Sequence, residues 1–373
     1  SGLELQRALN AIDVRRDQCH ISNAVRCRPP KNDLEALNIQ VSRTNRKREK
    51  KAREEKTTAR RVERPADACK HLLYEELAAT GITKIVCLGK TAAKAIRGGD
   101  VSIMNIRGGC EEVPAPWNPK ITLQVGYTMH PAWVLRQQAY REVFRHDLAK
   151  AFRFFSSNLD WVDPKIRITS KASEISKHLT SLVKAGKPLA YDLETDGIDP
   201  RTANVRCVGI GNEDTSLIVE IRSITGRLLL DPDEEEEVKE ILRRFASAPG
   251  VPLIGHNAGQ YDRLAMEHWL GVRPALSVDT ILLHLLADNE LPHNLGFVGS
   301  FYTDNPEAWK ADHTAVQAKT DKELHIYCGK DVAVTARIAP PLMRDVVRRS
   351  QQHLLSREHT LQFIGTCMQE IGM

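Results

Sequence analysis

The sequence lacks the features of a membrane protein and of a disulfide-bonded secreted protein. None of its apolar runs approaches the roughly eighteen residues that a membrane-spanning helix needs, so no membrane contact is expected. Residues 1–5 provide no basic head, no apolar signal core and no initiator Met, so we expect a fragment or a processed piece. The eight cysteines are scattered without a CxxC pair, which favours a reducing cytoplasm over a disulfide framework.

Length and charge indicate more than one domain and one unusual segment. A chain of 373 residues exceeds an ordinary single core, so two domains are expected. The net charge of +5 comes from residues 42–65, where eleven Lys and Arg stand against four Glu. This segment has almost no apolar residue and cannot build a core. It is either a solvated insertion, helical or flexible, or a sequence-blind arm that binds phosphates.

Residues 1–158 alternate strand patterns with helix patterns. Residues 20–30 indicate a strand stopped by prolines, residues 83–94 a buried strand with a Gly turn and a helix start, and residues 121–125 a third strand. Apolar residues at helical spacing predict a closing helix over residues 141–155. Strands that alternate with helices predict an α/β domain with a parallel sheet. A linker is expected at residues 156–164.

The stretch of residues 189–195 is an apolar strand that carries Asp192 and Glu194 two positions apart. Side chains two apart on a strand point to the same face, so both carboxylates project together. They repel each other in a half-buried setting and need a compensating cation. Oxygen ligands favour a hard divalent ion such as Mg²⁺ or Mn²⁺.

Three further polar groups follow at a distance along the chain. Asp262 opens a helical pattern after a strand and a Gly turn. Tyr327 and Asp331 are four residues apart, so they lie one above the other on one helix face. Taken singly, Asp192 with Glu194 could equally be a solvent-facing strand pair, Asp262 a helix cap and Tyr327 a half-buried core phenol.

Together the four acids and the phenol resemble the proofreading 3′-5′ exonuclease domain of family A, DNA polymerase I-like DNA polymerases. Residues 279–284 and 290–295 are similar to phage members of that family. The resemblance implies an α/β fold of the ribonuclease H-like kind, with a mixed sheet, over residues 165–343. It also implies that residues 344–373 begin a polymerase domain whose catalytic palm is not present.

The same resemblance implies the chemistry. Two Mg²⁺ or Mn²⁺ ions would hydrolyse the terminal phosphodiester at a single-stranded or frayed DNA 3′ end during replication. Tyr327 would hydrogen-bond the attacking water, while Thr195 and Asn257 match positions that touch the substrate. The partners would be single-stranded 3′ ends and primer-template DNA, with the polymerase domain in cis. The metal ligands would be Asp192, Glu194, Asp262 and Asp331.

Other patterns in the C-terminal part predict its secondary structure. Strands are expected at residues 165–170, 205–211 and 216–221, the last two in an antiparallel meander with the Asp192 strand. The acidic run at residues 231–237 indicates a capped helix start and not a metal site. From residue 344 onward we expect one long helix.

A second resemblance covers the N-terminal domain. Residues 23–30, residues 88–89 and residues 130–132 are similar to the later two thirds of a family 4 uracil-DNA glycosylase. By this likeness Asn23 reads the uracil edge, and His130 faces the base oxygen as the glycosidic bond breaks.

That resemblance also limits what we expect of this domain. The family's Gly-rich first loop would lie ahead of Ser1, so we expect no release of uracil. Cys27 and Cys69 match two of the four cysteines that hold an iron-sulfur cluster in the family. Two thiolates cannot hold such a cluster, so none is expected in this chain. The basic residues 42–65 stand where the family has a short connection.

Three other functions remain open from the sequence. A ribonuclease D-like RNA exonuclease would use the same carboxylates, and a comparison of RNA and DNA strands as substrates would separate the two. A glycosylase would release free uracil from a dU oligonucleotide. A non-catalytic reading makes the N-terminal domain a DNA clamp, whose binding should then depend on residues 43–64.

Overall fold

The computed structural model describes residues 2–26, 29–248, 250–312 and 318–371. The chain divides into two units, Ser1–Asn158 and Leu159–Met373. Within the described ranges, no helix has the length and apolar character needed to cross a membrane.

The N-terminal unit places a small sheet among helices. Its strands are β1 (Lys84–Leu88), β2 (Cys110–Ala115) and β3 (Asn118–Thr128). Its helices are α1 (Gly2–Asn10), α2 (Leu34–Glu54), α3 (Pro65–Ala68), α4 (Lys70–Thr80), α5 (Lys90–Arg97), α6 (Ile103–Ile106), α7 (Pro131–Val134) and α8 (Arg141–Phe155).

The sheet of this unit has the order β1-β3-β2 in the described part of the chain. β1 and β3 are parallel, as predicted. β2 pairs antiparallel with β3 and was not predicted, because Pro114 and Pro116 argue against a strand. The sheet order explains why proline is tolerated: β2 is an edge strand, whose outer N–H groups need no partner. The closing helix α8 matches the predicted bounds, with Phe144 and Leu148 fully buried.

The predicted strand at residues 20–30 is wrong over the described residues 20–26, which are irregular. Their polar side chains bind a helix instead of a neighbouring strand. Ser22 Oγ donates to Glu76 Oε2 at 3.0 Å, His20 Nε2 lies 2.5 Å from Glu76 Oε1, and Arg26 also pairs with this carboxylate. Glu76 lies on α4, so this segment is fixed by charge and hydrogen bonds to a helix.

The C-terminal unit is built on one larger sheet. Its strands are β4 (Lys165–Thr169), β5 (Leu189–Thr195), β6 (Val205–Gly211), β7 (Thr215–Glu220), β8 (Leu253–Gly255) and β9 (Leu276–Asp279). Its helices are α9 (Ala172–Lys184), α10 (Pro232–Ala246), α11 (Asp262–Leu270), α12 (Thr280–Ala287), α13 (Leu295–Tyr302), α14 (Trp309–Asp312), α15 (Asp321–Arg348) and α16 (Leu355–Ile371).

The strand order in this sheet is β4-β7-β6-β5-β8-β9. β5, β6 and β7 form the predicted antiparallel meander, while the β4–β7, β5–β8 and β8–β9 pairs are parallel. The sheet is therefore mixed, as the ribonuclease H-like resemblance implied. The acidic run caps α10 as predicted: Asp231 accepts N–H bonds from Asp233 and Glu234.

Alternation along β5 sorts its side chains onto two faces. Leu189, Tyr191 and Leu193 are buried in the core that also contains residues of α9, α10 and α11. Ala190 faces the other way and packs against residues of α15. Because Asp192 and Glu194 share the face of Ala190, the fold places both carboxylates beneath α15.

One glycine lets α15 approach this face closely. Gly209 on β6 is paired with Asp192 on β5. A Cβ at Gly209 would lie 2.7 Å from Cys328 Sγ and 2.7 Å from Val332 Cγ2, both on α15. Only glycine therefore allows the helix to pack at this depth beside Asp192.

The prediction of one long helix from residue 344 is wrong. α15 ends at Arg348, and α16 starts at Leu355. Ser350 has a positive φ of 57°, the left-handed conformation of a helix end. Its N–H bonds to Val347 O at 2.9 Å and the Gln351 N–H bonds to Val346 O at 2.9 Å, so a Schellman motif ends α15 without a glycine.

Candidate active site

The centre of the candidate site is the acidic pair on β5. Glu194 is buried and Asp192 is half-buried, although the surrounding strand is apolar. A carboxylate oxygen of each residue and Cys328 Sγ lie within 4.8 Å of one another. Cys207 and Cys328 are buried free thiols. The predicted strand thus delivers both acids to one point below α15.

Asp262 is tied to this pair through the backbone of β5. Its Oδ1 accepts the Leu193 N–H at 3.0 Å, from the residue that lies between the two acids. Asp262 is the first residue of α11 and is 8% exposed. The strand residue that packs behind the pair therefore also fixes the third carboxylate.

The turn before Asp262 is held by a carboxylate that the sequence analysis did not single out. Asp279 Oδ1 accepts the Asn257 N–H at 2.7 Å, and its Oδ2 accepts the Gly259 N–H at 3.1 Å. Asn257 has a φ of 62°, a conformation that Asn tolerates better than most residues. Its side chain is exposed, so the predicted substrate contact of Asn257 remains a prediction.

Asp331 and Tyr327 are one turn apart on α15, as the spacing predicted. Asp331 is buried, and both of its oxygens are engaged: Trp309 Nε1 donates to Oδ1 at 2.7 Å and Lys310 Nζ donates to Oδ2 at 2.5 Å. The same ammonium donates to the Tyr327 hydroxyl at 2.6 Å and lies over its ring. Lys310 therefore links the acid to the phenol.

The sequence analysis missed Lys310 and Trp309. Both lie on α14, a single helical turn with no periodic pattern of its own. Their side chains reach the site only because α13, α14 and α15 pack together around Trp309. A Trp-Lys pair in an irregular stretch carries no signal of its own, so only the tertiary structure could find it.

Thr195 lies at the end of β5 and is already engaged within the chain. Its Oγ1 lies 2.6 Å from the Tyr261 hydroxyl and donates to Gly197 O at 2.9 Å. Tyr261 also donates to Gly197 O at 2.5 Å. These bonds order the loop after β5, and a contact of Thr195 with substrate remains a prediction.

The candidates in the N-terminal unit are more dispersed. Asn23 is exposed on the irregular segment before α2, and no hydrogen bond joins it to His130 among the described residues. His130 caps α7 by accepting the Ala132 N–H at Nδ1, 3.1 Å away. Its proton is therefore on Nε2, which leaves that nitrogen as a donor.

The N-terminal unit also contains the two cysteines that match cluster ligands of the glycosylase family. Cys27 lies outside the described residues. Cys69 is buried immediately before α4.

Comparison with known proteins finds one family match within each unit. Residues 1–153 match the model of the uracil DNA glycosylase superfamily, and residues 167–346 match the model of a 3′-5′ exonuclease. The chain therefore has a glycosylase-like domain followed by a domain with a 3′-5′ exonuclease match. The geometry around Asp192 lies inside the exonuclease match, and His130 lies inside the glycosylase match.

Two type-4 uracil-DNA glycosylases are among the similar proteins. The protein from Pyrobaculum aerophilum is 29% identical over 173 residues, which cover 44% of this chain and 70% of the relative. The protein from Thermotoga maritima is 29% identical over 157 residues, which cover 41% of this chain and 65% of the relative. The chain thus spans about two thirds of the length of these glycosylases.

Solved nucleases resemble the chain more distantly. Escherichia coli RNase D, an exoribonuclease, has 13% sequence identity and a TM-score of 0.43, over 54% of this chain and 50% of that chain.

Burial and mutual repulsion disfavour the charged forms of three of the four acids. Burial, followed by repulsion from Asp262 and Asp331, raises the pKa of Asp192 well above its ordinary value. Burial, followed by repulsion from Asp192 and Asp331, does the same to the pKa of Glu194. Burial also raises the pKa of Asp262 to about 7, although the Leu193 N–H lowers it.

The two carboxylates of this donor set fit a divalent metal. Asp192 and Glu194 offer hard oxygen ligands whose mutual repulsion a cation would remove, while the third donor of the group, Cys328 Sγ, is a softer ligand. Lys310 already lowers the pKa of Asp192 and of Glu194, but one ammonium does not offset the repulsion. Asp331 differs from the other acids because Lys310 and Trp309 occupy its oxygens.

Proposed function

We propose that the exonuclease domain removes nucleotides from the 3′ end of single-stranded or frayed DNA, as the proofreading part of a phage-type family A DNA polymerase. Two Mg²⁺ or Mn²⁺ ions would be held by the four acids that the sequence analysis named. The observation that carries this proposal is that the Asp192 and Glu194 carboxylates meet within 4.8 Å, while the charged forms of both acids and of Asp262 are disfavoured. Such a cluster costs stability unless it binds cations.

The ions, when bound, would supply a hydroxide nucleophile at neutral pH and stabilise the attacking and leaving oxygens. The remaining steps belong to side chains of this chain. Burial, followed by the nearby Asp331 carboxylate, raises the pKa of Tyr327, so its phenol stays protonated. Because its oxygen accepts a bond from Lys310, its own proton remains available to a water molecule.

Lys310 has two roles in this proposal. Its ammonium partly neutralises the acids before metal binds, and it holds Asp331 and Tyr327 at a fixed separation. Coordination by Asp331 would require Lys310 to release Oδ2. The displaced ammonium could then stay bound to the Tyr327 hydroxyl, close to where the phosphate would lie.

DNA is the proposed substrate because the first domain matches a superfamily named for its action on DNA. The glycosylase relatives carry the same word in their names. RNA remains the alternative, since exonuclease carboxylates act on the phosphodiester and not on the sugar. The comparison is direct: a DNA strand and an RNA strand of the same sequence are incubated with Mn²⁺, and release of mononucleotides is followed.

The assignment of the carboxylates is tested by substitution. Asp192→Ala and Asp331→Ala should each reduce release of mononucleotides at least about a thousandfold, because each removes a metal ligand from the reaction centre. Glu237→Ala is the matched control: this acid is exposed on α10 in the acidic run and should leave the rate unchanged. Wild-type rates in both active-site variants would refute the proposal.

A further inference from the structure

The basic insertion forms an ordered two-part element in the N-terminal unit. Helix α2 carries the first part of the charge, and residues 57–64 return along one of its faces. Asn45 fixes this return: its side chain donates to Val62 O at 2.9 Å and accepts the Val62 N–H at 2.7 Å. Arg48 donates to Arg60 O at 3.0 Å, and Arg61 pairs with Glu49.

The return segment covers one face of α2 and leaves the opposite face open. Val41 and Ala52 are the buried residues of this helix, and with Asn45 and Arg48 they lie on the covered side. At 100° per residue, the opposite side carries a stripe spaced three and four residues apart. All of its basic members are exposed, and they are Arg43, Arg46, Lys47, Lys50 and Arg53.

This stripe, which we call the basic face, is not neutralised locally. In the described part of the chain, none of its five basic side chains forms an ion pair. Two nearby acids pair with other cations: Glu49 with Arg61, and Glu55, which follows the helix, with Lys51. Between residues 43 and 54, Glu54 is the one acid on the side of the basic face, and it stands at the last turn of the helix. The fold therefore concentrates unpaired positive charge along a straight line.

We propose that the basic face of α2 binds the phosphate backbone of duplex DNA without reading its sequence. A helix rises about 1.5 Å per residue, so the stripe is about 15 Å long. Duplex DNA carries one negative charge per roughly 1.7 Å of its axis, or one per roughly 3.4 Å along each strand. The basic face is opposite in charge to the DNA and straight, and its five charges over about 15 Å have a spacing close to that of the phosphates along one strand.

The composition of the basic face favours duplex DNA over a lipid surface or a single-stranded nucleic acid. Between residues 43 and 53 it presents no aromatic or large apolar side chain, so it has nothing to insert into a lipid surface or to stack on unpaired bases. Long flexible cations suit phosphates, whose contacts position a protein without specifying sequence. Duplex binding by the basic face is separate from the function proposed for the exonuclease site, which would act on a frayed single strand.

The test measures binding of the full chain to a blunt 20-base-pair DNA duplex in EDTA, so that the exonuclease is inactive. Arg46→Ala/Lys47→Ala removes two charges and keeps the helix, because Ala is the best helix former. Lys177→Ala/Lys184→Ala is the matched control on α9, where both side chains are exposed and carry no ion pair in the described chain. Fluorescence anisotropy at 50 to 200 mM NaCl gives the salt dependence.

Each lost phosphate contact should lower the log-log salt slope by about 0.9. Over the fourfold change in salt, the affinity of Arg46→Ala/Lys47→Ala should therefore fall about twelvefold less than that of the wild type. The control should keep the wild-type slope. An unchanged slope in Arg46→Ala/Lys47→Ala, an equal loss in the control, or binding to phosphatidylserine vesicles but not to the duplex would each overturn the proposal.

Discussion

Replacement of Lys310 by Met separates the two roles that Lys310 has in the proposed mechanism. Methionine keeps an apolar stem of similar length but removes the ammonium that contacts Asp331 Oδ2 and the Tyr327 hydroxyl. We expect Lys310→Met to bind Mn²⁺ more tightly than the wild type and to hydrolyse DNA more slowly. Tighter binding with slower turnover is the opposite of what loss of a metal ligand would produce.

The size of the effect follows from Coulomb's law. Two unit charges about 4 Å apart interact by about 1 kcal/mol in water-like surroundings, which sets the scale on which the ammonium would repel an ion held by Asp331. A divalent ion doubles this to about 2 kcal/mol, or about thirtyfold in affinity. Lys310 is only about a quarter exposed, so screening is weaker than in water and tenfold tighter binding is a cautious minimum.

Isothermal titration with Mn²⁺ is the assay, because it measures affinity without catalysis. Lys330→Met is the matched control: this lysine precedes Asp331 on α15, but its ammonium pairs with Glu307. The control should change the Mn²⁺ affinity less than threefold. Unchanged or weaker binding in Lys310→Met would refute the view that its ammonium competes with metal for Asp331.

Two further variants test the phenol and the buried acids. Tyr327→Phe should slow nucleotide release by about tenfold to a hundredfold, the worth of one hydrogen bond in the transition state, while Mn²⁺ titration shows an unchanged affinity. Asp262→Asn should raise the melting temperature of the metal-free chain at pH 8. The Asp262 pKa rises from 3.8 to about 7 on folding, so stability is lost as pH rises between these values, by up to about 4 kcal/mol. The gain should shrink at pH 5, and an equal gain at both pH values would contradict this reasoning.

Local patterns predicted most of the fold because tertiary contacts reinforce them. The period of two in β5 and the period near 3.6 in α8 each bury an apolar face, so pattern and packing agree. The predictions failed where tertiary contacts outweigh the local sequence pattern. The prolines argue against a strand at β2, and only the sheet order shows that β2 is an edge strand where proline is tolerated. Residues 20–26 pair with no strand because their side chains bind the carboxylate of Glu76.

The site was predictable to the extent that its residues sit on such elements. Strand alternation is enough to bring Asp192 and Glu194 together, and helical spacing is enough for Tyr327 and Asp331. Asp279, which binds the turn before Asp262, and Lys310, which links Asp331 to Tyr327, lie on distant segments without a periodic pattern. Local sequence patterns therefore could not predict their contacts with the site. Their positions depend on how α14 packs against α15 and how the turn after β8 lies beside β9.

We propose that Asp192, Glu194, Asp262 and Asp331 together hold two divalent ions. The most direct measurement is the number of Mn²⁺ ions bound per chain in the presence of thymidine 5′-monophosphate, by electron paramagnetic resonance of free Mn²⁺. We expect two ions for the wild type and for Glu237→Gln, and the loss of at least one in Asp192→Asn. A wild-type chain that binds none, or an Asp192→Asn chain that still binds two, would refute the assignment of these four acids as metal ligands.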